Sequence, residues 1–277
     1  MGRRQLLAYL SLALMPGLVA AGTAGQTPTQ KPKRQAPYFV GNFNTCDFSQ
    51  WEIFQGPAAS FKIVRRPKVE GRCSGAIKVG PWALDGLINK EADGATWYQR
   101  PAPYGTNGHT VWQHFSVRFA RGFRATPGEW NFIADWHDDK GWQKFPQIEF
   151  EYSNLCWLVR TYPSVTGPPR IGMRIMGGLA TAPRTVRVNG PVLQTGHWYD
   201  FLVRTVWSPD PSKGYVEWWL DGKRLYSHHV ATLYTRPDGT LSTVYFMEVN
   251  YRRHATWDST IYYDATRLGP NHASVRY

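Results

Sequence analysis

Helical periodicity is missing from this chain, and short alternating runs take its place. Residues 60–64, 75–79, 111–119, 130–136, 147–152, 171–175, 185–188, 198–207, 215–220, 244–251 and 260–268 each read as a strand. Turn signals separate them: Asp221-Gly222 after EWWL, Asp238-Gly239 after LYTRP, and the Pro- and Gly-containing stretch 209–214. Many strands at such spacing predict an all-β fold, a sandwich or jelly roll. The clearest run is 244–251. Val244, Phe246, Glu248 and Asn250 alternate with Tyr245, Met247, Val249 and Tyr251, so the two tyrosines share a face. Arg252 and Arg253 follow at its mouth. Phenols beside guanidinium groups suit anionic-sugar chemistry, because a proton can be carried next to a neutralised carboxylate.

The ends of the chain read differently. Arg3 and Arg4 precede an apolar run at 6–21 with small residues after it, the pattern of a secretory signal occupying 1–25. The paired arginines are compatible with twin-arginine export. Pro16 interrupts the run, which argues against a membrane anchor. Residues 26–37, polar and rich in Pro and Lys, read as a disordered linker. One domain is expected over 38–270, with a tail at 271–277. Beyond Arg3 and Arg4 the chain holds 30 basic against 20 acidic residues. For an exported protein that balance favours an acidic polysaccharide as partner. No nucleic-acid motif is present, and neither nucleic acid nor membrane is expected as partner of what reads as a monomer. Of the three cysteines, Cys46 and Cys73 lie in turn-like surroundings and are expected to pair.

Thirteen tryptophans and fifteen tyrosines first imply a large aromatic core. Those near polar strand ends, Trp97 and Trp136 among them, are candidates for stacking on sugar rings. From His197 onward the chain reads HWYDFLVRTVWSPD, then a G-x-V-E-x-W-x-D-G-K hairpin, then TLY, then a strand with Tyr245 and Tyr251-Arg252. With CDFSQW at 46–51, NGHTVWQHFSVRF at 107–119 and FIADWHD at 132–138, the order of motifs over 38–269 resembles the heparin lyase I-like polysaccharide lyases. That group includes glucuronan lyases. The resemblance implies a β-jelly roll, a concanavalin-like sandwich of two antiparallel sheets, and β-elimination at a uronic acid.

Elimination removes a barely acidic proton beside a carboxylate. The carboxylate must be neutralised, a base must take the proton, and an acid must protonate the leaving oxygen. The resemblance assigns proton transfer to His137 and Tyr251, and carboxylate neutralisation to Arg100 and Gln99 in the stretch 96–100. Tyr245, Arg252, Trp136, Trp97 and Tyr98 are then expected to bind substrate. Met247 and Val249 stand where lysine and glycine are usual in that strand, which alters the charge of the groove. No cofactor is needed for this chemistry. The resemblance also suggests a structural Ca2+ on Asp264 with Asn44. Two rivals share these residues. Glu149 and Glu151 in QIEFEY lie on one face of a strand, as in retaining jelly-roll glucanases. A binding module without chemistry would need the aromatics and cations, but not His137 and Tyr251 facing each other.

Overall fold

The computed structural model describes residues 35–81, 92–98, 103–125, 130–138, 155–160, 168–253 and 255–277. The first strands are β1 (Phe39–Gly41), β2 (Ile53–Gln55), β3 (Phe61–Val64), β4 (Ser74–Val79), β5 (Ala92–Tyr98), β6 (Thr110–Phe119), β7 (Trp130–Asp138) and β8 (Leu155–Arg160). They are followed by β9 (Arg170–Leu179), β10 (Ala182–Val192), β11 (Trp198–Val206), β12 (Tyr215–Leu220), β13 (Lys223–His229), β14 (Tyr234–Thr235), β15 (Val244–Arg253) and β16 (Ser259–Gly269). A back sheet runs β13-β12-β11-β6-β16-β4-β3, with β1 also on β16. A front sheet runs β10-β9-β8-β7-β15-β5-β2, with β14 parallel to β9 and every other pair antiparallel. The two antiparallel sheets give the expected jelly roll.

Period-two patterning becomes burial directly. Along β11, half-buried and buried residues alternate without a break, so Tyr199, Phe201 and Val203 enter the core. Phe115 stacks on Phe201 at 4.6 Å and meets Phe246 of the front sheet at 5.6 Å. Two indoles in this core have matched polar partners: the Trp136 indole N–H donates to Gln113 Oε1 at 2.7 Å and that of Trp97 to Glu248 Oε2 at 2.6 Å. Pairing between β7 and β15 slips at Ile133, where Glu248 faces Ala134 but Tyr251 faces Phe132. Tyr263 spans the core to this bulge, its hydroxyl 2.8 Å from the carbonyl oxygens of Ile133 and Val249. A buried carbonyl that leaves a ladder needs such a substitute donor.

Two local readings hold. Asp221 and Gly222 both have positive φ, 50° and 73°, and join Leu220 to Lys223 in a two-residue hairpin. Cys46 and Cys73 form a disulfide. The closing residues pack onto the domain: Asn271 caps a short helix, α1 (His272–Val275), which buries Val275 completely. No described helix is long and apolar enough to cross a membrane. The 147–152 run lies outside the described residues.

Candidate active site on the front sheet

The phase of β15 decides which residues can meet a ligand. Phe246, Glu248 and Asn250 turn into the core, so Tyr245, Met247 and Tyr251 take the outer face. Register then sets their neighbours. Tyr245 stands opposite His137 and Met247 opposite Asp135. The row continues from Asp135 through Cys156 to Arg174 and Arg187 on one side, and from Met247 to Tyr98 on the other. An imidazole, a phenol, a carboxyl and two guanidinium-bearing residues thus share this part of one sheet face.

The His137 and Tyr245 rings are 5.7 Å apart, inclined by 34°. Both side chains are half-buried, so each is anchored yet reachable. His137 Nδ1 lies 3.0 Å from the carbonyl oxygen of Asp138. A carbonyl only accepts, so Nδ1 carries the hydrogen and the neutral ring keeps its lone pair on Nε2. The end of β7 is fixed by the buried ion pair of Asp138 with Arg236, whose other nitrogen donates to the Leu241 carbonyl at 2.8 Å. At the far end of the face, Tyr251 leans on Phe132 at 6.5 Å, and the Arg174 guanidinium sits 5.7 Å from the Phe132 ring centre.

Several expectations need correcting. His137 and Tyr251 lie on adjacent strands of the same sheet but do not meet. Tyr251 is six residues beyond His137's registered partner, roughly 20 Å along a strand. The phenol beside His137 is Tyr245. Arg252 is fully buried, in the opposite phase from the tyrosines, and donates to Ser259 Oγ at 3.1 Å and to the Trp257 carbonyl. It belongs to the core end, not to a substrate surface. Trp97 and Trp136 are also in the core phase, 0% and 1% exposed. Tyr98 keeps its place in the outer row by register. Gln99, Arg100, Glu149 and Glu151 lie outside the described residues. Arg174 and Arg187 were missed, though each is a cation flanked by apolar residues on an alternating strand.

The calcium expectation does not fit its residues. Asp264 Oδ2 accepts from the backbone N–H of Val69 and Glu70 at 2.7 and 3.2 Å, and Oδ1 from that of Ala265 at 2.7 Å. Burial still pushes its carboxyl up to about 6. Asn44 Oδ1 accepts from the Arg72 N–H at 3.2 Å. Both side chains fasten the 69–72 loop, whereas Ca2+ requires about six to eight oxygens converging on one point. No group of three or more His, Cys, Asp or Glu suited to a metal occurs among the described residues.

Comparison with known proteins bears on this face. The sequence model of a family described as "Polysaccharide lyase" matches residues 43–267. No curated protein sequence matches the chain. Among solved structures, an endo-β-1,4-glucuronan lyase from the fungus Trichoderma reesei superposes with TM-score 0.67 at 13% identity, covering 87% of this chain and 98% of that one. An alginate lyase solved with alginate trisaccharide gives 0.60 at 13%, covering 86% and 99%. The catalytic domain of a glycoside hydrolase family 131 protein from Coprinopsis cinerea gives 0.54 at 12%, covering 88% and 98%. At such identities these likenesses speak for the fold.

Proposed function

Because the chain belongs to the polysaccharide lyase family, we propose that it cleaves a uronic-acid polysaccharide by β-elimination on the outer face of the front sheet. The observation that carries this reading is the His137–Tyr245 pair. His137 Nε2 takes the C5 proton, since Nδ1 is committed to the Asp138 carbonyl. The Tyr245 hydroxyl, one ring away, protonates the departing O4. Gln99 and Arg100, which follow β5 in the chain, are assigned to the uronate carboxylate, where neutralisation stabilises the carbanion-like transition state. Arg174, whose guanidinium lies by Phe132 at the Tyr251 end of the face, is assigned to a flanking subsite. Tyr251 is assigned to a flanking subsite as well. Glucuronan and alginate, the polymers named for the superposed lyases, are the first substrates to examine. The surplus of basic residues suits a polyanionic substrate of this kind.

Incubation with polyglucuronate, alginate and heparin, read by ultraviolet absorbance, tests the chemistry. Elimination creates an unsaturated, absorbing end. Reducing ends without absorbance would mean hydrolysis and would overturn the reading. Replacing Tyr245 by Phe is expected to slow elimination by about 10²–10⁴-fold, the usual worth of a positioned proton donor. If Tyr251→Phe instead carried that loss and Tyr245→Phe did not, the proton pair would be wrongly assigned.

A further inference from the structure

The outer face of the back sheet carries a second concavity, on the opposite side of the sandwich from His137. It has a volume of about 660 Å3 and is walled by Arg66, Lys68, Arg118, Arg121 and Trp198, with no acidic residue in its lining. Arg118 on β6 and Trp198 on β11 are registered partners. Their chain neighbours Val117, Phe119 and Tyr199 point into the core, so both face outward. Arg118 and Arg121 converge over the turn at Gly196: a Cβ there would stand 3.2 Å from Arg121 Cγ and 3.8 Å from an Arg118 guanidinium nitrogen. Arg66 and Lys68 come from a loop held in place, with Ser74 Oγ donating to the Pro67 carbonyl at 2.6 Å and Asp264 accepting from Val69 and Glu70.

No described carboxylate offsets the charge of this cluster. Lys78, Arg204, Arg236 and Arg267 each have a carboxylate partner. Arg66, Arg118 and Arg121 have none among the described residues, and Lys68 donates only to the Gly71 carbonyl. Converging cations with no counter-charge repel one another, and a bound polyanion would relieve that repulsion. Guanidinium forks match carboxylate or sulfate groups, and the half-buried Trp198 ring offers a face for a sugar. The volume falls within the range of ligand pockets, about 300–1,000 Å3. A single concavity with one aromatic wall suits a saccharide better than the extended basic stripe that tracks a nucleic-acid backbone.

We propose that this pocket is a second, non-catalytic binding site for acidic polysaccharide, holding the polymer while the front sheet cuts it; the identity of the polymer rests on the function proposed above. The test uses the full chain carrying His137→Ala, so that polymer is not consumed during electrophoresis through gels containing polyglucuronate or alginate, with neutral β-glucan as control. Added Arg118→Gln/Arg121→Gln should weaken binding in the uronate gels by about tenfold, the order expected for two charge-assisted contacts. Arg66→Gln/Lys68→Gln should do so independently. With His137 intact, Arg118→Gln/Arg121→Gln should raise KM on long polymer and leave turnover of a tetrasaccharide at the parent's value. Equal retardation of parent and both variants, equal retardation in neutral glucan, or displacement of the polyuronate by a DNA oligonucleotide at lower concentration would each overturn the proposal. Since retardation reads binding without turnover, a failure of the lyase reading would show separately, as missing absorbance.

Discussion

Glu248 lies directly beneath the proposed site, one position from Met247 but in the core phase. It is 0% exposed. Burial pushes its carboxyl up to about 8, although hydrogen bonds from Thr266 and Trp97 favour the charged form. An unfolded glutamate titrates at roughly 4.3, so between about 4.3 and 8 the folded chain holds a proton that the unfolded chain has released. Stability must therefore fall as pH rises through that window and level off above it. Asp264, held up at about 6, adds a slope of the same sign at the acidic end. Glu248→Gln keeps a neutral side chain of similar shape that can still accept from Trp97. Thermal melts between pH 5 and 9 should show the variant losing less stability than the parent; parallel curves would mean that Glu248 is not neutral in the fold. Arg252 belongs to the same scale. Read as a residue type it suggests a surface cation, and only its phase on β15 reveals that it closes the core.

At the scale of the element, β15 was legible as a strand because alternation is a local property. Its partner register was not. That both tyrosines share a face follows from period two, but which of them meets His137 depends on the pairing of β7 with β15, which no feature of either strand alone specifies. A bulge at Ile133 compounds this, since it shifts the count on one strand relative to the other. The aromatics misled for a related reason: Trp97 and Trp136 border polar residues in sequence yet are in the core phase. Residues 236–241 then matter for the end of β7. The Arg236 and Asp138 side chains are 10% and 6% exposed, so removing the cation leaves a buried carboxylate without its ion-pair partner. Arg236→Leu should cost about 3–5 kcal/mol in urea unfolding. It should also reduce elimination more than Tyr251→Phe does, because the Asp138 carbonyl orients His137. Adding Asp138→Asn to Arg236→Leu should restore part of the stability. A double variant no more stable than Arg236→Leu alone would place the loss in packing instead of charge.

For the molecule as a whole, the all-β class was foreseeable from the density of short strands, and the two antiparallel sheets from the resemblance to jelly-roll lyases. The packing of Gln35 and β1 against residues 266–271 was not. Gln35 Oε1 accepts from the Asn271 side chain at 2.8 Å, and β1 pairs with β16; contacts so distant in sequence leave no local pattern. The disulfide works on the same region. It joins Cys46 to Cys73 across 27 residues, a span that includes β2 and β3, edge strands of the two sheets. Cross-linking a loop of that length removes denatured-state freedom worth about 3–4 kcal/mol on the chain-entropy account. Phe43, Trp51 and Trp97 form one buried aromatic group beside it, with Phe43 5.4 Å from Trp97 and Trp51 5.9 Å from it. That group would hold the native contacts in place without the bond. A Cys46→Ser/Cys73→Ser variant should therefore fold with the same circular dichroism as the parent and unfold at lower urea. Its elimination rate should be unchanged well below its melting temperature, because the 46–73 span contributes neither residue of the His137–Tyr245 pair. Loss of activity in a variant whose spectrum matched the parent's would show that the disulfide shapes the site itself.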